Sequence, residues 1–343
     1  MRRGVRAGMW TAGVTLLATV LGVDGRAEGS FVEPVTRVAL IGDTPYQDYQ
    51  IEQVDELIRE INASRTAFTI HVGDIKTGSS LCSDELLEAR YAQLQQLERG
   101  LVYTPGDNEW TDCHRRNAGM YEPHERLAKL RSLFFPKPGL TSGRRPFPVL
   151  SQAIDPAHRE FVENALFIRS NVVFATLHVV GSNNGVALWD GVGETAESPR
   201  PDRTEEVERR TAAALAWIDR AFDAAEQRGA AGVVLAMQAN PAFERPAGDA
   251  QRQGFEEILA RITARSVAFA RPVVIAHGDS HYYRIDKPLV APSEAGPRRL
   301  EDVTRVETFG DTEVHWVELI VDPSSPELFR FVPHLVEANK YAR

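Results

Sequence analysis

The chain has 343 residues, of which 43% are hydrophobic and 25% are charged, so it is long and apolar enough to fold around a sizeable core. This composition excludes an intrinsically disordered protein. The formal net charge of −9 excludes a broad electrostatic footprint for DNA or RNA, although a local basic patch can still bind a small anion.

The first residues are typical of an export signal. Three arginines among the first six residues precede an apolar stretch from Met9 to Val23, and Gly25 and Ala27 offer a cleavage site. A membrane anchor is the alternative, but the apolar stretch is short for a bilayer span. We expect residues 1–27 to be a signal peptide and residues 28–343 to form one domain. The mature protein is then periplasmic or secreted, with no membrane span.

Short β-branched runs then alternate with helical patterns of apolar residues. The pattern predicts a strand at Val35–Ile41, a helix at Tyr49–Asn62, a strand at Phe68–Val72, a helix that Ser83 caps, and a strand at Leu101–Thr104. Such a β-α-β-α-β series predicts an α/β fold with a largely parallel sheet and helices on its faces.

The rest of the chain continues to alternate between strands and helices. Predicted elements are a helix at Met120–Phe135, a hairpin of Ala165–Arg169 and Val172–Val180, a helix from a capping box at Asp202 and Glu205 to Arg228, strands at Val233–Met237 and Val273–Ala276 around a helix at Phe255–Ile262, and a closing hairpin of Val314–Val321 and Leu328–Val332. We find no internal repeat and no linker, which favours a single domain.

Polar residues follow five of the predicted strands, at the point where each strand ends. The five turns are Gly42-Asp43-Thr44-Pro45-Tyr46, Gly73-Asp74-Ile75-Lys76, Gly106-Asp107-Asn108-Glu109, Met237-Gln238-Ala239-Asn240-Pro241 and His277-Gly278-Asp279-Ser280-His281. Strand ends of this kind converge on one crevice in parallel sheets. Each turn alone is also explained as an ordinary loop. Together, their carboxylates would repel one another unless divalent cations lie among them.

The two cysteines of the chain, Cys82 and Cys113, each follow one of these turns by a few residues. In an oxidising compartment an even number of cysteines favours a disulfide, and the two residues can meet if their turns lie at neighbouring strand ends. Unpaired thiols are one alternative. A zinc site that includes His114 is another, but the sequence lacks the CxxC spacing typical of such sites.

The order and spacing of the five turns resemble the motif blocks of the calcineurin-like metallophosphoesterases, from Val35 to Ile285. The blocks of that family are Asp-x-His, Gly-Asp, Gly-Asn-His-Asp/Glu, a lone His after a strand, and Gly-His-x-His. The resemblance implies layered β-sheets flanked by helices, with a metal site at the C-terminal strand ends. It also implies one or two divalent metal ions and a small phosphorylated substrate, hydrolysed by a metal-activated water.

Matching the blocks residue by residue implies six metal ligands. They are Asp43, Asp74, Asp107, Gln238, Asp279 and His281, with Asp74 as the bridging residue. Asp107 stands in place of the family's Asn, while Gln238 and Asp279 each stand in place of a His. Pro45 stands where the first block has its His, so that ligand is missing. Because oxygen ligands replace imidazoles, the substitutions favour Mg²⁺, Mn²⁺ or Ca²⁺ over Zn²⁺ or Fe.

The same comparison leaves the catalytic groups open. Asn108 replaces the His that assists the leaving group, and an amide cannot supply a proton at neutral pH. Lys76 and His277 are the candidates to bind phosphate or act as an acid, as are His114 and Arg115. Each of the four is also explained as a structural or charge-neutralising residue.

Three hypotheses of function follow. The first is a metal-dependent phosphoric ester hydrolase, either a phosphatase or a phosphodiesterase, which the retained acidic residues favour. The second is a catalytically impaired protein that binds metal or phosphate on the same scaffold, which the missing histidines favour. The third is a serine esterase, because Gly278-Asp279-Ser280 mimics a nucleophile block, but the sequence has no Gly-x-Ser-x-Gly elbow.

Overall fold

The computed structural model describes residues 34–294 and 296–340, so the predicted signal peptide lies outside the described residues. The strands are β1 (Thr36–Ile41), β2 (Phe68–His71), β3 (Gly100–Tyr103), β4 (Leu150–Ser151), β5 (Ala165–Arg169), β6 (Val172–Thr176), β7 (Gly232–Ala236), β8 (Val273–His277), β9 (Arg284–Asp286), β10 (Val290–Ala291), β11 (Arg298–Arg299), β12 (Val303–Glu307), β13 (Trp316–Val321) and β14 (Phe329–His334). The longer helices are α1 (Gln50–Ala63), α2 (Asp84–Leu94), α3 (Pro123–Phe134), α4 (Pro201–Arg228) and α5 (Glu256–Phe269).

The first sheet has the strand order β14-β13-β1-β2-β3. Strands β1, β2 and β3 are parallel, whereas β13 and β14 run antiparallel to their neighbours. The register places Ile41 opposite His71, and His71 opposite Tyr103. The three parallel strands therefore end at the same level of the sheet, and the turns that follow them emerge side by side.

The second sheet has the strand order β4-β5-β6-β7-β8-β12-β9, and its four middle strands β6, β7, β8 and β12 are parallel. Thr176 lies opposite Ala236, and Ala236 lies opposite Ala276. The segments after β6, β7 and β8 therefore also leave their sheet at one level. A small ribbon of β10 and β11 stands apart from the two sheets.

The two sheets pack face to face. Side chains such as Val38 and Leu40 of β1 and Val234 of β7 lie in one buried cluster between them. Successive strand residues point to opposite faces, so Ala39 and Ile41 instead pack against α1, α2 and α3. Helices α4 and α5 cover the other sheet in the same way. The result is a four-layered α/β/β/α arrangement, and the predicted α/β fold class is confirmed.

Three of the predicted boundaries are wrong. Helix α4 begins at Pro201 rather than at a capping box, because proline is pre-organised for the first helical position and the Asp202 carboxylate pairs with Arg200 instead. Strand β6 ends at Thr176. Helix α5 begins at Glu256 and continues to Phe269.

Among the described residues, no helix is both long and apolar enough to cross a membrane.

Candidate metal centre

The turns at the ends of the two sheets meet in one cleft of about 440 Å³. Asp74 and Asp107 reach it from the first sheet, and Asp279 and His281 reach it from the turn after β8. Four of the site residues have left-handed backbones, with φ of 55° at Asp43, 57° at Asp74, 77° at Asp279 and 60° at His281. Non-glycine residues rarely adopt this conformation outside constrained functional turns.

Two groups of metal-ligand atoms form within the cleft, and Asp74 belongs to both. One group is Asp43, Asp74 and His281, and the other is Asp74, Asp107 and Asp279. Within each group the ligand atoms lie within 4.8 Å of one another. Asp74 is therefore the candidate ligand that the two groups share.

Neutral donors converge on the Asp74 carboxylate. Its Oδ2 accepts hydrogen bonds from Tyr46 Oη (3.0 Å), Asn108 Nδ2 (2.8 Å) and Gln238 Nε2 (3.1 Å), and its Oδ1 accepts one from the backbone N–H of Asn108 (3.2 Å). The backbone N–H of Asp74 donates to Glu109 Oε1 (3.1 Å). These contacts fix the orientation of the carboxylate between the two groups.

Two carboxylate oxygens of the centre have no hydrogen-bond partner among the described residues. They are Asp43 Oδ2 and Asp107 Oδ1, and both are buried. Burial, together with neighbouring carboxylates, raises the pKa of Asp43 and Asp74 well above the usual range and raises the pKa of Asp279 to about 7. Unpartnered carboxylate oxygens beside a shared Asp74 are the environment that divalent cations complete, so the residues present fit such ions.

The six predicted ligands are not equivalent in the structure. Gln238 differs from the rest because its amide is already engaged: Nε2 donates to Asp74, and Oε1 accepts from the backbone N–H of Gly181 at 2.6 Å. The other five belong to the two ligand groups.

The three predicted catalytic residues lie in different environments, and only Asn108 lines the cleft. The Nδ2 of Asn108 contacts Asp74 and the hydroxyl of Tyr46. Lys76 is buried below it, where its Nζ donates to the carbonyls of Thr77 (2.8 Å) and Asn108 (2.6 Å). His277 is fully buried, its Nδ1 lies 2.8 Å from the carbonyl oxygen of Gly278, and burial lowers its pKa to about 3. Neither Lys76 nor His277 lines the cleft.

Of the other two basic candidates, Arg115 lines the cleft. Its Nη1 lies 2.7 Å from Asp112 Oδ2. His114 instead packs its Nδ1 3.2 Å from Asp190 Oδ1, beside a neighbouring cavity.

Sequence reasoning missed three side chains of the centre. The hydroxyl of Tyr46 lies among Asp74, Asn108 and His281, 3.1 Å from His281 Nε2. Ser182 Oγ donates to Asp107 Oδ2 (2.8 Å) and lies 2.9 Å from Asp112 Oδ1. Tyr46 stands in the first turn, and Ser182 stands in the turn Gly181-Ser182-Asn183-Asn184-Gly185 after a strand, so both had a usable signal, although the second is also explained as an ordinary Asn-Gly turn. Nothing in the sequence near Asp112 indicates a role.

The disulfide Cys82–Cys113 is present, with the Cα atoms 5.7 Å apart, as the sequence predicts. Both sulfur atoms are buried, 3.7 Å from the carbonyl oxygen of Asn108. The alternative zinc site with His114 is wrong, because both cysteines are consumed by the disulfide.

The serine-esterase hypothesis finds no support in the geometry. Ser280 Oγ accepts a hydrogen bond from Asn240 Nδ2 at 2.7 Å, and no imidazole contacts it among the described residues. A nucleophilic serine needs a base within hydrogen-bond reach.

No protein-family model and no curated protein matches the sequence. Among solved structures, the chain is similar to a dimetal phosphatase from Danio rerio, with a TM-score of 0.53 and 12% identity over 89% of this chain and 97% of that one. It also matches the NAD nucleotidase of Haemophilus influenzae (TM-score 0.44, 16% identity, 89% of this chain and 50% of that one) and a purple acid phosphatase from yellow lupin (0.45, 12%, 84% and 49%). The chain spans about half the length of these last two proteins. The similarity to the dimetal phosphatase shows that the described chain has the fold of that protein, so the predicted calcineurin-like metallophosphoesterase fold is confirmed.

Proposed function

We propose that this protein is a metal-dependent hydrolase of a small phosphate ester. One observation carries the proposal. Asp74 is shared by two groups of ligand atoms, and each group contains a buried carboxylate oxygen, on Asp43 or Asp107, that has no partner among the described residues. A site without a bound cation gains nothing from gathering these charges.

Divalent ions held there would supply Lewis-acid activation of water and electrostatic stabilisation of the phosphoryl oxygens. In the hydrolysis, water adds to phosphorus, the bond from phosphorus to the ester oxygen breaks, and the alcohol leaves. The Asn108 amide cannot protonate the departing alkoxide, which takes its proton from solvent. We therefore expect esters with acidic leaving groups, such as nitrophenyl esters, to react much faster than alkyl esters.

The ligand set also favours particular ions. Four of the five residues in the two ligand groups offer carboxylate oxygens, and one, His281, offers an imidazole nitrogen. Hard oxygen ligands suit Mg²⁺, Mn²⁺ and Ca²⁺ better than Zn²⁺ or Fe. The protein would bind one ion or two, depending on whether only one or both of the ligand groups hold an ion.

The site of action we propose is outside the cytoplasm, in the periplasm or the medium. The disulfide Cys82–Cys113 supports this, because disulfides persist in oxidising compartments. The basic and apolar pattern of residues 1–27 supports it independently.

The test is hydrolysis of p-nitrophenyl phosphate and bis-p-nitrophenyl phosphate with added Mg²⁺, Mn²⁺, Ca²⁺ or Zn²⁺, comparing the wild type with Asp74→Asn. We expect metal-dependent turnover by the wild type and a loss of at least about 100-fold in the variant, since Asp74 belongs to both ligand groups. Bound metal without turnover of any ester would contradict the proposal. It would favour a protein that binds metal or phosphate on this scaffold.

A further inference from the structure

Arg115 brings a guanidinium into a cleft that is also lined by four carboxylates and the imidazole of His281. Its Nη1 lies 2.7 Å from Asp112 Oδ2, and its Nη2 donates to Ser182 Oγ at 3.2 Å. Among the described residues, these two contacts are its hydrogen-bonding partners, so they leave other N–H groups of the planar fork for a ligand. The Arg115 side chain is 42% exposed, and its contacts with Asp112 and Ser182 hold it in place.

A single side chain, Ser182, connects this guanidinium to the candidate metal ligand Asp107. Ser182 Oγ, which accepts from Arg115, itself lies 2.8 Å from Asp107 Oδ2. An anion that reaches the carboxylate cluster through a cation therefore comes within reach of Arg115.

Gly78 packs closely against Arg115. A Cβ atom built on Gly78 would lie 2.9 Å from Arg115 Nη1 and 2.6 Å from Asn108 Oδ1, closer than side chains tolerate. Because Gly78 has no side chain, the guanidinium can keep its place beside Asp112 at the lining of the cleft.

We propose that Arg115 binds a non-bridging oxygen of the phosphoryl group and makes the protein selective for phosphate monoesters. This inference rests on the proposed function. A monoester carries three non-bridging oxygens and close to two negative charges at neutral pH, whereas a diester carries two such oxygens and one charge. A monoester can place one oxygen at each of the two ligand groups around Asp74 and still offer the third to a guanidinium fork, whereas a diester that fills both groups has none left.

A purely structural role for Arg115, neutralising Asp112, predicts different results. Removing Arg115 would then lower stability without changing the affinity for phosphate. Arg116 provides a matched control, because it is an exposed arginine that borders the neighbouring cavity and not the cleft.

The test is calorimetric titration of inorganic phosphate into the metal-loaded wild type and the variants Arg115→Ala, Arg115→Lys and Arg116→Ala. We expect Arg115→Ala to weaken phosphate binding about 10-fold or more, since a charge-assisted fork is lost. The Lys variant should fall between, and Arg116→Ala should match the wild type. Metal stoichiometry should be equal in all four. The ratio of kcat/KM for p-nitrophenyl phosphate over the bis ester should fall in Arg115→Ala.

Equal phosphate affinity and an equal monoester-to-diester ratio in Arg115→Ala would overturn the inference while the proposed function stands. A wild type that binds no metal and hydrolyses neither ester would instead overturn the proposed function. If Arg115→Ala does not fold, Arg115→Lys gives the second test, because it keeps a positive charge for Asp112 and loses the guanidinium fork. Phosphate affinity in Arg115→Lys equal to that of the wild type would contradict the inference.

Discussion

Asp74 holds a different position from the other carboxylates of the centre. Three side chains donate to its Oδ2, whereas Asp43 Oδ2 and Asp107 Oδ1 have no partner among the described residues. Side chains of the protein thus orient the Asp74 carboxylate. The unpartnered oxygens of Asp43 and Asp107 are the ones that a cation would contact. This division follows from single residues, since Tyr46, Asn108 and Gln238 all offer a donor to the same oxygen.

Lys76 supports this arrangement from below, and its removal should be costly. The buried ammonium binds the carbonyls of Thr77 and Asn108 and lies near acidic groups. Lys76→Met leaves both carbonyls and the carboxylates uncompensated, so we expect a loss of about 2–4 kcal/mol in the free energy of unfolding. Urea unfolding measures it, with the exposed Lys137→Met as control. A Lys76→Met protein as stable as the control would contradict this role.

His71 gives a prediction about pH. It is fully buried, accepts a hydrogen bond from the backbone N–H of Gly73 at its Nδ1 (3.1 Å), and burial lowers its pKa from 6.5 to about 3. Below pH 6.5 the unfolded chain binds a proton at this position that the folded chain excludes. The contribution of His71 to stability is therefore complete above pH 6.5 and is lost as the pH falls towards 3, by about 1.4 kcal/mol per pH unit.

His71→Gln keeps an acceptor for Gly73 and removes the titrating group. Urea unfolding of both proteins at pH 7.5, 6.0 and 5.0 should show a smaller loss of stability in the variant between pH 6.0 and 5.0. Parallel pH dependences in the two proteins would show that His71 does not titrate in this way.

At the scale of elements, the segment between β3 and α3 carries much of the centre. It contributes Asp107, Asn108 and Asp112, and the disulfide Cys82–Cys113 attaches it to the segment before α2. The disulfide closes a loop with a sequence separation of 31 residues.

The double variant Cys82→Ala/Cys113→Ala should lose about 3.5 kcal/mol of stability from loop-closure entropy. We also expect weaker metal binding, because the carbonyl of Asn108 lies against both sulfur atoms. Urea unfolding and metal titration measure the two effects, and the reduced wild type serves as the control. Unaltered metal affinity in the variant would show that the segment keeps its conformation without the disulfide.

The sequence predicts the secondary-structure elements better than it predicts the ion pairs between distant residues. The three parallel strands follow from apolar periodicity, and four of the five turns follow from Gly-Asp pairs, both of which are local signals. Strand β12 was missed because Arg305 and Glu307 look like exposed residues. In the structure both are buried through tertiary ion pairs, Arg305 with Asp286 and Glu307 with Arg284. Charge compensation between distant segments is not visible in a local pattern.

The same limit applies to the candidate site. Asp43, Asp74, Asp107 and Asp279 are recognisable because each ends a strand. Ser182 is less recognisable, since its hydroxyl enters the centre only because the backbone after β6 turns through left-handed conformations, with φ of 51° at Ser182. Lys76 and His277 show the converse error, because adjacency in sequence to a site residue does not decide which way a side chain points.

At the scale of the whole molecule, the centre depends on both sheets. Asp43, Asp74 and Asp107 follow strands of the first sheet, while Gln238 and Asp279 follow strands of the second. Cations that bind these residues bind the folded protein and not the unfolded chain, so they should stabilise the packing of the two sheets.

The measurement that tests this account most directly is titration of Mn²⁺ into the metal-free protein, followed by calorimetry and by the thermal unfolding midpoint. Asp74→Asn is the test variant, and Glu208→Gln, an exposed substitution on α4, is the control. We predict one or two bound ions and, at 100 times the dissociation constant, about 2.7 kcal/mol of stabilisation in the wild type and the control. The bound ions and the stabilisation should both be lost in Asp74→Asn. No bound Mn²⁺, Mg²⁺, Ca²⁺ or Zn²⁺ in the wild type, or equal binding by Asp74→Asn, would contradict a metal centre built on Asp74.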